Sequence, residues 1–126
     1  MVARLVLVIE HEACIREVLE ACLRDLGGWI IVLASSIKEG INLCEQQRPD
    51  VILIDTSTPE IDALLFIEEL KFYSTKYFVP ILLISSRANW LSAERLRQMG
   101  FAGVINKPFN PLTLSQHISQ TLGWSA

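Results

Sequence analysis

Acidic, basic and hydroxyl side chains stand at the ends of short apolar runs in this sequence. Carboxylates, together with backbone carbonyls and water, form the oxygen-rich surroundings that Mg2+ prefers. A lysine and a hydroxyl suit the oxygens of a phosphoryl group. If these side chains converge in the folded chain, they predict phosphoryl-transfer chemistry. The residues are the acids Glu10 and Asp55, the hydroxyl Ser85 and the ammonium Lys107.

The elements that must position these groups follow from the hydrophobic pattern. Short aliphatic runs alternate with longer segments whose apolar residues recur every three or four positions, which is typical of strands and helices in turn. Runs that are apolar throughout, such as Val51–Ile54, favour parallel strands covered on both faces. The predicted strands are Arg4–Ile9, Trp29–Ala34, Val51–Ile54, Ile81–Ser85 and Gly103–Asn106.

A helix is expected after each strand. Ser36 with Glu39 has the spacing of a capping box, and Asn110 followed by Pro111 resembles an N-cap with proline at the first helical position. The predicted helices are Cys14–Leu26, a segment from Ser36 to Gln47, residues 61–72, Ser92–Met99, and Asn110 to Leu122. Strict alternation predicts one α/β domain over residues 1–126, a doubly wound parallel sheet with five flanking helices. Ligands of such sheets bind at the carboxyl ends of the strands.

Composition excludes several classes of function. The 126-residue chain is 51% hydrophobic with a net charge of −3, and no basic cluster offers the surface that direct nucleic-acid binding requires. Cys14, Cys22 and Cys44 fall in apolar helical patterns and are expected to be small core residues in a reducing compartment. No segment is long enough for a signal peptide or a membrane span, so a cytoplasmic protein without membrane contact is expected.

Taken together, the motifs resemble those of a response-regulator receiver domain, the phosphoacceptor module of two-component signalling. The resemblance covers essentially the whole chain and implies a flavodoxin-like sheet of order 2-1-3-4-5. The matching residues are Glu10 and Glu12 after the first strand, Asp55 with Pro59 and Asp62, Ser85 at the end of the fourth strand, and Lys107–Phe109 after the fifth.

The resemblance assigns a role to each position. Asp55 would accept a phosphoryl group from a histidine kinase or a phosphotransfer protein. Lys107 would pair first with that carboxylate and then with the phosphoryl oxygens. Ser85 would bond the phosphoryl group and switch a protein-binding face around the fourth and fifth helices. Mg2+ would be held by Glu10, Asp55 and the backbone carbonyl of Ser57. Such a protein is no enzyme beyond assisting its own phosphorylation and dephosphorylation.

One position departs from the family pattern. His11 stands where a second acid usually contacts the metal, and a neutral imidazole is a weaker ligand for Mg2+ but suits Mn2+ better. Mg2+ binding is therefore expected to be weakened, with His11 either a ligand or a polar residue at the rim. The alternative function is a pseudo-receiver, a protein-interaction module that works without phosphate. The downstream partner or output domain, and homodimerisation through the fourth and fifth helices, stay open.

Overall fold

A computed structural model describes residues 3–55, 67–69, 79–85 and 93–124. All five strands are parallel and form one sheet of order β2-β1-β3-β4-β5, so the predicted order 2-1-3-4-5 is confirmed. The order reverses between β1 and β3, where a doubly wound sheet opens its binding crevice. The strands are β1 (Leu5–Ile9), β2 (Ile30–Ala34), β3 (Val51–Asp55), β4 (Ile81–Ser85) and β5 (Gly103–Asn106).

The helices follow the predicted alternation with different bounds. Residues 67–69 are helical and belong to the third predicted helix, the rest of which lies outside the described residues. The helices are α1 (Ala13–Ala21), α2 (Ile37–Gln47), α3 (described at 67–69), α4 (Ala93–Gln98) and α5 (Leu114–Leu122).

The core lies on both faces of the sheet. Every residue of β3 and β4 is buried, which explains why both strands are apolar until their last residue. Side chains alternate along each strand, so Leu53 and Leu82 join one cluster with α1 and α5. Ile52 and Leu83 join a second cluster with α2 and α4 on the opposite face. The two layers leave the carboxyl edge of the sheet as the place where polar groups gather.

The first predicted helix is interrupted. α1 gives way to a π-helical turn, Cys22–Leu26, which ends at the glycine pair Gly27–Gly28. Leu26, at the end of this turn, is exposed. Cys14 is also exposed, and its expected place in the core is wrong, whereas the other two cysteines are buried.

Helix starts follow local hydrogen bonds. Ser36 Oγ accepts from the Glu39 amide at 3.1 Å, which confirms the predicted cap of α2. The last helix does not begin at Asn110. The Asn110 carboxamide oxygen accepts from the Leu112 amide at 3.0 Å, and this local turn delays α5 until Leu114.

Aromatic residues close the amino-terminal edge of the sheet. The Trp29 and Trp124 rings meet edge to face at a centroid distance of 5.5 Å. The Arg4 guanidinium lies 4.4 Å from the centroid of Trp124. Arg4 precedes β1 and Trp124 follows α5, so the two ends of the described chain are held together here. Within the described ranges, no helix has both the length and the apolarity that crossing a bilayer would require.

Candidate functional site

Asp55 is the last residue of β3 and lies 2% exposed. It continues a strand of four buried aliphatic residues, and its partner across the β3–β4 pair is Ile84. The sheet therefore fixes Asp55 on its β4 side, whereas the ladder between β1 and β3 ends one residue earlier, at Ile9 and Ile54. The backbone therefore aims Asp55 at the carboxyl edge, where β1 and β3 separate.

Glu10 lies beside Asp55 because the strand register puts it there. Ile9 of β1 is paired with Ile54 of β3, and the residue that follows each of them is an acid. Neighbouring strands are about 4.8 Å apart, so the two acids lie side by side. Glu10 is only 1% exposed. Its Oε1 accepts from the Glu12 amide at 3.0 Å. The two predicted carboxylates are thus neighbours in a buried site.

Lys107 supplies the positive charge of the site. It follows β5, and its Nζ forms an ion pair with Asp55 Oδ1. Its backbone amide donates to the carbonyl of Ser85 at 3.2 Å, and the following bond to Pro108 is cis. Ser85 ends β4 with 7% exposure and is paired with Asn106 across the sheet. All four chemical groups predicted from the sequence therefore lie along one edge of the sheet.

Burial controls the protonation of the acids. Loss of hydration on burial raises the pKa of Glu10 to about 7. The hydrogen bond that Glu10 accepts from the Glu12 amide has the opposite effect and lowers this pKa. The charge of Asp55 and a hydrogen bond to its carboxylate raise the pKa further, and the Lys107 ammonium opposes them. Near neutral pH, Glu10 is therefore present in two forms: the protonated acid, which is hydrogen-bonded to Asp55, and the carboxylate.

The oxygen atoms of this pair fit a hard divalent cation. With both groups ionised neither can donate, and Glu10 Oε2 and Asp55 Oδ2 are buried without a hydrogen-bond partner among the described residues. A cation between them would satisfy both atoms. The described part of the chain contains no cluster of three or more histidine, cysteine or acidic side chains able to hold a metal. Further ligands would be carbonyls and water, and Ser57, expected to supply one carbonyl, lies outside the described residues.

His11 lies beside Glu10. Its side chain is half exposed, and Nδ1 lies 3.3 Å from Glu10 Oε1, the same oxygen that accepts from the Glu12 amide. The ring nitrogen thus faces the oxygen of Glu10 that is already bonded, while the unpartnered Oε2 remains available. The role of His11, as a metal ligand or as a polar residue beside the site, stays a prediction.

One contact at the site had no counterpart in the sequence interpretation. Arg16, in the second half of the first turn of α1, donates from Nη1 to the backbone carbonyl of Glu10 at 2.7 Å. The sequence offered no signal for it, since an arginine on an amphipathic helix is ordinarily a solvated residue. The contact becomes visible only when the helix is placed against the end of β1.

Strand order and site together define a doubly wound, flavodoxin-like domain with an acidic pocket at its switch point. Comparison with known proteins gives the family: residues 6–119 match the model of the response regulator receiver domain, and the chain belongs to that family. The phosphate regulon transcriptional regulatory protein PhoB of Escherichia coli (strain K12) is 31% identical over 120 residues, covering 95% of this chain and 52% of that protein. The chain thus spans about half the length of this relative.

Solved structures agree with this membership. The chemotaxis response regulator CheY4 of Vibrio cholerae is 26% identical with a TM-score of 0.79, covering 95% of this chain and 99% of that one. The receiver domain of the sensor histidine kinase PA1611 from Pseudomonas aeruginosa PAO1 is 27% identical with a TM-score of 0.77, covering 97% of this chain and 99% of that one. That receiver holds a magnesium ion in its active site cleft.

Proposed function

We propose that this receiver domain accepts a phosphoryl group on Asp55 from a phosphohistidine of a histidine kinase or phosphotransfer protein. The observation that carries the proposal is the buried Asp55 carboxylate, ion-paired with Lys107 and adjacent to the unpartnered oxygen of Glu10. Burial strips water from the carboxylate, and the ion pair with Lys107 orients it for in-line attack.

The reaction exchanges one bond to phosphorus for another. An Asp55 oxygen forms the new P–O bond as the P–N bond of the donor phosphohistidine breaks, and the donor imidazole leaves with the electron pair and takes up a proton. Lys107 moves its charge from the carboxylate to the phosphoryl oxygens. The Ser85 hydroxyl donates to the same oxygens once they are present. Asp55 is thereby a phosphoacceptor, and hydrolysis of the acyl phosphate resets it.

Glu10 and Asp55 would hold the divalent cation of this reaction. A magnesium ion bound there supplies positive charge that offsets the repulsion between the two carboxylates and the incoming phosphoryl group. Support comes from the two buried unpartnered oxygens and from the magnesium-bound PA1611 receiver. The backbone carbonyl of Ser57 completes the proposed protein ligands. His11 in place of an acid removes one negative charge from the site, so we expect weaker Mg2+ binding and a relative gain for Mn2+.

The output of the switch is a protein-binding face around α4 and α5. If the Ser85 hydroxyl moves inward toward the phosphoryl group, the segment between β4 and α4 would repack, because this segment directly follows Ser85. The face would bind a downstream protein, an output domain or a second copy of the chain. Relatives such as PhoB, which is about twice as long as this chain, are transcriptional regulators and make an output domain a natural partner.

A pseudo-receiver that signals without phosphate is the second candidate, and one observation favours it. The pKa of Glu10 near 7 leaves the pocket partly protonated at neutral pH, and His11 supplies no fixed negative charge to attract the cation. In that case the same face would bind its partner constitutively.

Intact-mass spectrometry after incubation with acetyl phosphate separates the two functions. The wild type is expected to gain one phosphoryl group in the presence of Mg2+ or Mn2+, and Asp55→Asn is expected to gain none. Asp25→Asn serves as the matched control, because Asp25 is exposed on the π-helical turn and should leave labelling unchanged. Folded wild-type protein that takes up no phosphoryl group with either metal would leave the pseudo-receiver as the function.

A further inference from the structure

Glu10 is held at its backbone as well as at its side chain. Its amide donates to the Ala34 carbonyl at 3.0 Å, and its Oε1 accepts from the Glu12 amide at 3.0 Å. Its carbonyl accepts from Arg16 Nη1 at 2.7 Å, the shortest of the three hydrogen bonds. These contacts leave Oε2 as the buried, unpartnered atom of the residue. The direction of that atom therefore depends on how the backbone of Glu10 is fixed.

The carbonyl of Glu10 is the part of this arrangement that the sheet does not control. β1 ends at Ile9, so the Glu10 carbonyl lies beyond the last register pair between β1 and its neighbours. A peptide at this position is free to turn about the strand end unless a side chain fixes it. Arg16 fixes this peptide from α1. The first turn of α1 is itself held by a hydrogen bond that the Arg16 amide donates to the Glu12 carbonyl at 3.0 Å.

The contact of Arg16 differs from that of an ordinary surface arginine. Arg24, on the following π-helical turn, forms an exposed ion pair with Glu20 at 2.9 Å, an interaction of little net value. Arg16 is half-buried, and among the described residues it makes no ion pair with a carboxylate. Its planar guanidinium instead presents a rigid donor to one carbonyl, a task for which arginine is better preorganised than lysine.

We propose that Arg16 is a positioning residue of the cation site: by fixing the Glu10 carbonyl it aims Glu10 Oε2 at Asp55 and so sets the affinity for the divalent cation. The inference rests on the proposed function, because it concerns the same pocket. Groups that orient a metal ligand without touching the metal commonly change its affinity by about 10- to 100-fold when they are removed.

The test measures cation binding and phosphorylation separately. Binding of Mn2+ alone is followed by the loss of its free electron paramagnetic resonance signal, with Mg2+ added in competition. Labelling by acetyl phosphate is followed at limiting and at saturating metal. The variants are Arg16→Met, which keeps the length of the stem without the guanidinium, and Arg16→Lys, which keeps the charge. Arg24→Met, a surface arginine of the adjoining turn, is the matched control, and circular dichroism verifies folding of each protein.

Arg16→Met is expected to weaken cation binding by about 10-fold, with Arg16→Lys between it and the wild type. Its labelling rate should fall at limiting metal and recover at saturating metal, a split that a general loss of stability does not produce. Arg24→Met should bind and label as the wild type does. If Arg16→Met does not fold, wild-type affinity in Arg16→Lys would overturn the inference.

Two results against the proposals are distinguishable. A wild type that binds the cation and is labelled, together with an Arg16→Met variant of equal affinity, overturns the role of Arg16 alone. A folded wild type that neither binds the cation nor takes up a phosphoryl group overturns the proposed function and, with it, this inference.

Discussion

Glu10 makes stability depend on pH in the absence of metal. Its pKa lies at about 7 in the folded chain and at 4.5 when unperturbed. Below the lower value both states are protonated. As pH rises toward the upper value, the unfolded chain loses its proton first, so the folded state binds more protons and the free energy of unfolding falls. Since each pKa unit is worth about 1.4 kcal/mol, ionisation of Glu10 costs the folded state about 3 kcal/mol.

Glu10→Gln should remove this dependence. Glutamine has the same shape and does not ionise, and its side-chain oxygen can still accept from the Glu12 amide, as Oε1 does at 3.0 Å. Without metal, the variant is expected to equal or exceed the wild type in stability, with an advantage that grows to about 3 kcal/mol between about pH 4.5 and pH 7 and then stays constant. Added Mg2+ should stabilise only the wild type, because the variant lacks the carboxylate that we propose as its ligand.

Urea unfolding in EDTA at a series of pH values measures this difference. Glu17→Gln, an exposed acid on α1, is the matched control and should track the wild type at every pH. The reasoning would be refuted by a constant difference between wild type and Glu10→Gln over the whole range. That result would mean that Glu10 ionises in the folded chain as readily as in the unfolded one.

Three further outcomes are expected. Lys107→Met should lower the free energy of unfolding, measured in urea, by about 3 kcal/mol, because it leaves the buried Asp55 charge unpaired. The double variant with Asp55→Asn should recover most of this loss. A double variant as unstable as Lys107→Met would contradict the ion pair. Cys14 should react with Ellman's reagent in the folded chain, whereas Cys44, whose pKa burial raises to about 11, should react only after unfolding; rapid reaction at both would contradict the burial. Ser36→Ala should cost about 1 kcal/mol in thermal unfolding by removing the cap of α2, and an unchanged melting temperature would contradict that bond.

The sheet was predictable from the sequence because its interior strands are buried on both faces. Such strands read as unbroken aliphatic runs, and the observed bounds of β4 and β5 are those predicted. β3 extends one residue further than predicted, to Asp55, since the acid at its end still belongs to the strand. Parallel strands bring their carboxyl ends to one edge, so the sequence alone is enough to place Glu10, Asp55, Ser85 and Lys107 together.

What the sequence did not predict depends on local competition between hydrogen bonds. Asn110 and Pro111 fit a helix start, but the Asn110 side chain closes a turn of its own and α5 begins at Leu114. The π-helical turn Cys22–Leu26 was not predicted, because its apolar residues continue the spacing of an ordinary α-helix. The contact of Arg16 is not predictable from the sequence, because its partner is a backbone carbonyl, a group that every residue type carries.

The packing of Arg4 and Trp124 brings the two ends of the described chain together at the amino-terminal edge of the sheet. Asp55 lies at the opposite edge, and a strand of five residues spans about 16 Å. A segment joined beyond Trp124 would therefore emerge on the far side of the domain from Asp55, the proposed phosphoacceptor. Such a segment would have to fold back against the face around α4 and α5 to come near the site. For protein engineers, the same closeness makes the ends a natural junction for circular permutation, with new termini opened in a surface loop elsewhere.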